Sequence, residues 1–143
     1  MSLHEIHDHV VTDDDWQDLG TPQQREWARC RHWIEEALRA SPGVETIEDV
    51  EDRLTNLKYI FIPGENCAAI CEVVQFTARK IFFITHGGGD LEELLTKMEP
   101  VCVKLAKLFD CDGVIGLGRL GWKKPCEKIG YKLAYIAMIK DLE

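Results

Sequence analysis

The side chains in this sequence best suited to chemistry near neutral pH fall around positions 72 to 89. Gly87-Gly88-Gly89 follows an apolar run, Ile81-Phe82-Phe83-Ile84, and precedes a stretch of helical periodicity opening at Asp90. Glycines between a strand and a helix let the backbone approach an anion, and the first helical amides supply donors. One reading of the triplet is therefore a phosphate cradle, and the other is a plain turn. Glu72 shares the alternation Ala68, Ile70, Val74, Phe76 with apolar neighbours. A carboxylate there stands at the solvent-reaching margin of a sheet, or pairs with an Arg or Lys, or is buried with a raised pKa suited to proton abstraction. His86, beside the glycines, is a second candidate base, with a structural hydrogen bond as the alternative. His4, His7, Asp8 and His9 are metal-ligand types. They are adjacent and lack further ligands, so a polar terminus is expected and no metal.

The elements that position these residues follow from periodicity. Ile81 and Phe83 point one way while Phe82 and Ile84 point the other, the pattern of a strand buried on both faces in mid-sheet. Leu91, Leu94, Leu95, Met98, Val101, Cys102, Leu105, Leu108 and Phe109 form one apolar stripe on a long helix. Asp90 and Glu93 are spaced as a capping box at its start, and Pro100 predicts a kink near Met98 and Glu99. A further strand at Val114-Ile115 completes a βαβ crossover. Upstream, Thr21-Pro22 starts a helix reaching about Ala40 that buries Trp27, Cys30, Ile34, Ala37 and Leu38. A second helix starts at Thr46 with Asp49 as capping partner. Lys58 to Ile62 and Cys67 to Phe76 read as an antiparallel hairpin around Pro63-Gly64-Glu65-Asn66. A weak first strand is expected at Ile6 to Val11, with a helix start at Asp13-Asp14-Asp15. A short helix to Ile129, a stop at Gly130 and a last strand from Tyr131 to Ile139 close the chain.

At 143 residues the chain is expected to be one domain, 1–143, with a hydrophobic core of its own. A net charge of −8 argues against general nucleic-acid binding, which needs a basic face. Arg119, Lys123, Lys124, Lys128 and Lys132 cluster near the C-terminus and read as a solvated face. No apolar run is long enough to span a bilayer and the N-terminus lacks signal-peptide features, so no membrane role is expected. The six cysteines contain no C-x-x-C pair and fall mostly on apolar positions, as free thiols in a reducing cytosol would.

The order β-α-α-β-β-β-α-β-α-β, the strand, glycine run and long helix from Ile81 to Phe109, and the ending Cys126-Glu127-Lys128-Ile129-Gly130-Tyr131 together resemble the GNAT superfamily of acyl-CoA N-acyltransferases. The stretch Gly88-Gly89-Asp90-Leu91-Glu92-Glu93-Leu94, with Gly118-Arg119-Leu120-Gly121-Trp122, is similar to small GNAT-like proteins of tailed bacteriophages. The resemblance implies a mixed, twisted α/β sheet with flanking helices. It also implies acetyl-CoA as cofactor if the chain is catalytic, bound by Thr85, Gly87, Gly88 and Gly89, with Glu72 or His86 as base and Cys126 in the place of the family's general acid. In that family the loop begins with Gln or Arg and ends with Gly or Ala. Thr85 and Asp90 stand at those places here, and Asp90, Glu92 and Glu93 set carboxylates where a pyrophosphate would sit. The reading favoured by these residues is a phage-type binding, virion or assembly component in a bacterial host cytoplasm, partnered by a phage or host protein. An active N-acetyltransferase acting on an amine is the alternative.

Overall fold

The computed structural model describes residues 22–142. Helix α1 (Pro22–Arg39) buries Trp27, Cys30, Ile34 and Leu38, and α2 (Ile47–Thr55) buries Val50 and Leu54. The α2 start is a complete capping box: the Asp49 amide donates to Thr46 Oγ1 at 3.2 Å, and the Thr46 amide donates to Asp49 Oδ2 at 2.9 Å. Four strands follow: β1 (Ile60–Pro63), β2 (Cys67–Gln75), β3 (Lys80–Gly89) and β4 (Gly113–Gly116). They form a sheet in the order β1-β2-β3-β4, antiparallel at the first two junctions and parallel at the third. The long helix α3, residues 91–108, crosses from β3 to β4, and a short helix α4 (Lys123–Glu127) follows a 3-10 turn at Leu120–Trp122.

Strand alternation sends alternate residues of β2 to opposite faces. Cys67, Ala69 and Cys71 join Phe82 under Leu94, Met98, Cys102 and Leu105 of α3. Ala68 and Ile70 join Tyr59 and Phe61 under α1 and α2. The sheet is thus covered on both faces, as the apolar β3 requires. All six cysteines are free thiols, four of them buried. Among the described residues no helix is long and apolar enough to cross a membrane.

Two expectations from sequence change, and Pro100 widens its helix just ahead of the place where a kink is expected. Helix α3 passes through Pro100 without a break, but residues Leu94–Met98 form a π-helical segment in which the Glu99 amide reaches back to the Leu94 carbonyl. Proline offers no amide to the turn before it and crowds that turn's carbonyl, so the helix widens just ahead of the ring. Glu93 does not complete a capping box with Asp90; it turns into the β1–β2 hairpin, as described below. The expected last strand from Tyr131 to Ile139 does not form: residues 131–142 carry no helix or strand and pair with no part of the sheet. The expected first strand at Ile6 to Val11, the helix start at Asp13, the Thr21 cap and the N-terminal histidines lie outside the described residues.

Candidate functional site

The strand β3 carries most of the candidate residues. Its pairing with β2 slips by one between Ile70 opposite His86 and Cys71 opposite Ile84, which makes Thr85 the extra residue of a β-bulge. Thr85 Oγ1 donates to the Ile70 carbonyl at 2.9 Å and so closes the bulge on itself. Beyond it, His86 and Gly88 face α1 and α2 while Gly87 faces α3. Pairing with β4 ends at Ile84 opposite Gly116, yet β3 continues to Gly89. Trp122 sits beside this unshared end, against Gly87 and Gly118.

Packing demands glycine at Gly88 and Gly89 and leaves little room at Gly87. A Cβ on Gly88 would lie 2.2 Å from the carbonyl oxygen of Trp33, so α1 rests directly on the strand there. Gly89 has φ +97°, and a Cβ on it would meet the Asn66 carbonyl oxygen at 2.4 Å. A Cβ on Gly87 would press on the Trp122 ring at 3.2 Å. At the start of α3, Asp90 is the N-cap and its Oδ1 accepts from the Glu92 amide at 3.1 Å. The helix start is therefore capped by its own carboxylate, with exposed Asp90 and Glu92 beside it.

Glu93 is nearly buried and holds the neighbouring hairpin. Its Oε2 accepts from the Asn66 amide at 2.9 Å and from Cys67 Sγ at 2.8 Å. These two donors, the Cys67 thiol first, hold the Glu93 carboxyl below the usual carboxylate range, whereas burial followed by the Glu93 charge pushes the Cys67 thiol up. From the other side, Arg29 of α1 donates to the carbonyls of Gly64 at 2.6 Å and Glu65 at 2.8 Å. The tight turn is clamped between α1 and α3.

On the α1/α2 face a second polar cluster forms around Glu45, in the loop between those helices. Its side chain is 7% exposed. Glu45 Oε1 lies 2.6 Å from His86 Nε2, Oε2 accepts from Tyr59 Oη at 2.7 Å, and Arg53 of α2 forms an ion pair with the same carboxylate. Burial, and after it the Arg53 charge, hold the His86 imidazole below its ordinary pKa. A neutral ring facing a carboxylate that Arg53 already compensates donates Nε2–H and keeps Nδ1 as its basic atom. Burial likewise raises the Tyr59 phenol.

The site residues expected from sequence divide between the faces. Glu72 stands opposite Phe83, two positions beyond buried Ile70, where exposure rises toward Phe76 at 48%. It is half-buried and shares its face with His86. Cys126 is on the other face, on α4 beside Glu99 of α3, where burial and then Glu99 push its thiol up. Tyr131 Oη donates to the same Glu99 at 3.2 Å. Glu45 escaped the sequence reading because an acidic residue in a polar loop, 41 positions from His86, has no local pattern to mark it. Among the described residues no group of three or more His, Cys, Asp or Glu is placed to hold a metal.

No family model matches the chain, and no curated protein matches it by sequence. Solved structures do match in shape. A glucosamine-6-phosphate N-acetyltransferase from Arabidopsis thaliana superposes with a TM-score of 0.56 at 19% identity, over 77% of this chain and 89% of its own. An acetyltransferase from Trypanosoma brucei gives 0.55 at 16% identity, over 78% and 89%. An aminoglycoside N-acetyltransferase, solved in complex with CoA, gives 0.57 at 8% identity, over 82% and 87%. At these identities the likeness is one of fold, and the chain has the mixed-sheet α/β architecture of GNAT-like N-acetyltransferases.

Proposed function

We propose that this chain uses the GNAT-like fold as a binding component, of the virion or assembly kind found in tailed bacteriophages, and not as an efficient acetyl-CoA-dependent enzyme. The observation that carries this reading is the start of α3. A pyrophosphate needs free amides and positive or neutral surroundings at a helix start. Here Asp90 already takes the Glu92 amide, and no basic residue stands in the first turn. The Gly88 and Gly89 sides that a cradle would leave open point into Trp33 and Asn66 backbone. These residues do not fit the phosphates of coenzyme A. Calorimetric titration with acetyl-CoA tests this: no heat of binding at millimolar ligand is expected, and saturable micromolar binding would overturn it.

A second reading, an N-acyltransferase acting on an amine, draws on the Glu45–His86 pair. A neutral, carboxylate-oriented imidazole is a competent acceptor of an amine proton. In that reading His86 is the base, and Glu72, at the sheet margin, the lesser candidate. Micromolar binding in the same titration would favour it.

A further inference from the structure

Two buried thiols have no part in either reading. Cys71 on β2 and Cys102 on α3 are both fully buried, and their sulfurs lie 3.9 Å apart across the interface between sheet and helix. Each has a small residue of its own element on the same face, Ala69 on β2 and Ala106 on α3, within one core cluster. Cys67, by contrast, gives its thiol to the Glu93 carboxylate, which holds that sulfur away from other chemistry. The backbone around Cys102 is also unusual. It follows the π-helical segment Leu94–Met98 and the proline at Pro100, which has no amide to donate to the turn before it. Helix α3 is therefore least tightly hydrogen-bonded just ahead of the turn that carries Cys102, and that is where local opening costs least.

We propose that Cys71 and Cys102 form a latent disulfide site, closed by hydrogen peroxide, which bolts α3 to β2. Burial pushes the Cys71 thiol up and keeps it from ionising, so oxidation waits for α3 to open beside Pro100. The opened Cys102 thiol gives its proton to solvent, and its sulfur attacks one peroxide oxygen. The O–O bond breaks, leaving a sulfenic acid on Cys102 and, once the departing oxygen is protonated, water. When the helix closes again the Cys71 sulfur attacks the sulfenic sulfur. The S–S bond forms, and the hydroxyl leaves as water with the Cys71 proton. In sum the two thiols lose two electrons and one peroxide becomes two waters. Selectivity comes from proximity and not from acidity: a partner sulfur already 3.9 Å away makes the second step intramolecular. The bond ties together positions 31 apart in sequence, so it also restricts the unfolded chain. The inference does not depend on whether coenzyme A binds.

The test is treatment of the full chain with millimolar hydrogen peroxide, then denaturation in an alkylating reagent and peptide mass mapping. A peptide pair joined through Cys71 and Cys102 is expected, and dithiothreitol should separate it. In urea the oxidised protein should show a folding equilibrium constant raised on the order of 100-fold, returning to its starting value on reduction. Cys71→Ala and Cys102→Ala should each abolish the joined peptide, and the wild-type map stands without them if either variant fails to fold. Recovery of both thiols alkylated after peroxide, a disulfide between any other two cysteines, oxidation confined to the half-buried Cys126, or an oxidised protein no more stable than the reduced one would each overturn the proposal.

Discussion

Gly88→Ala asks what the glycines are for. The new methyl would lie 2.2 Å from the Trp33 carbonyl oxygen and 2.8 Å from its carbonyl carbon, where ordinary contacts begin at 3.4 Å. The obstacle is backbone in the middle of α1, flanked by buried Cys30 and Ile34, so no side-chain rotation relieves it. Either α1 withdraws by about an ångström or β3 does. Overpacking of a dense interior costs about 1–3 kcal/mol, and an immovable backbone neighbour puts this case at the upper end, about 3 kcal/mol. Gly121→Ala, with nothing within 4 Å of the new atom, is the control and should change stability by less than about 0.5 kcal/mol. Urea unfolding followed by tryptophan fluorescence measures both without any ligand. If Gly88→Ala unfolds within about 0.5 kcal/mol of wild type, α1 does not rest on the strand as described and the packing explanation fails.

Other perturbations separate the remaining contacts. Glu93→Ala removes the acceptor for the Asn66 amide and the Cys67 thiol and should lower the unfolding midpoint, while Glu92→Ala, at an exposed position, should not; equal effects would contradict the hairpin clamp. Because the folded His86 pKa lies below its unfolded value, the unfolded state takes up the extra proton. The stability this group contributes is therefore complete above the unfolded pKa of about 6.5, and it falls by up to about 1.4 kcal/mol per pH unit below it. Urea midpoints between about pH 7.5 and 5.5 should show this slope, and His86→Gln should flatten it; an unchanged slope in the variant would rule His86 out as its source. Thr46→Ala breaks the capping box of α2 and should cost about 1 kcal/mol by thermal or urea unfolding, whereas no loss would mean the cap is not formed in solution.

Much of the scaffold was legible because local rules and the fold agree. The Pro63-Gly64-Glu65-Asn66 turn, the stripe Trp27, Cys30, Ile34, Leu38 and the Thr46/Asp49 box each specify their element within a few residues. The site was less legible because long-range contacts decide it. Glu93 has the spacing of a cap partner for Asp90, but two donors from the hairpin outbid that role. Gly88 reads like an anion glycine, and only the approach of α1 shows why a side chain is excluded. The bulge at Thr85, which sends His86 toward Glu45, leaves no mark in the alternation. Tyr131 to Ile139 has the composition of a strand, but a strand also needs a paired edge, and none of the described strands pairs with it.

The central claim is that the start of α3 is closed to phosphate by its own carboxylate. Backbone amide NMR during titration with acetyl-CoA examines that start directly. The expected result is that the amides of Gly87, Gly88, Gly89, Leu91 and Glu92 keep their positions through millimolar ligand. A saturable shift confined to these amides, with the Glu92 amide leaving Asp90 for the ligand, would contradict it.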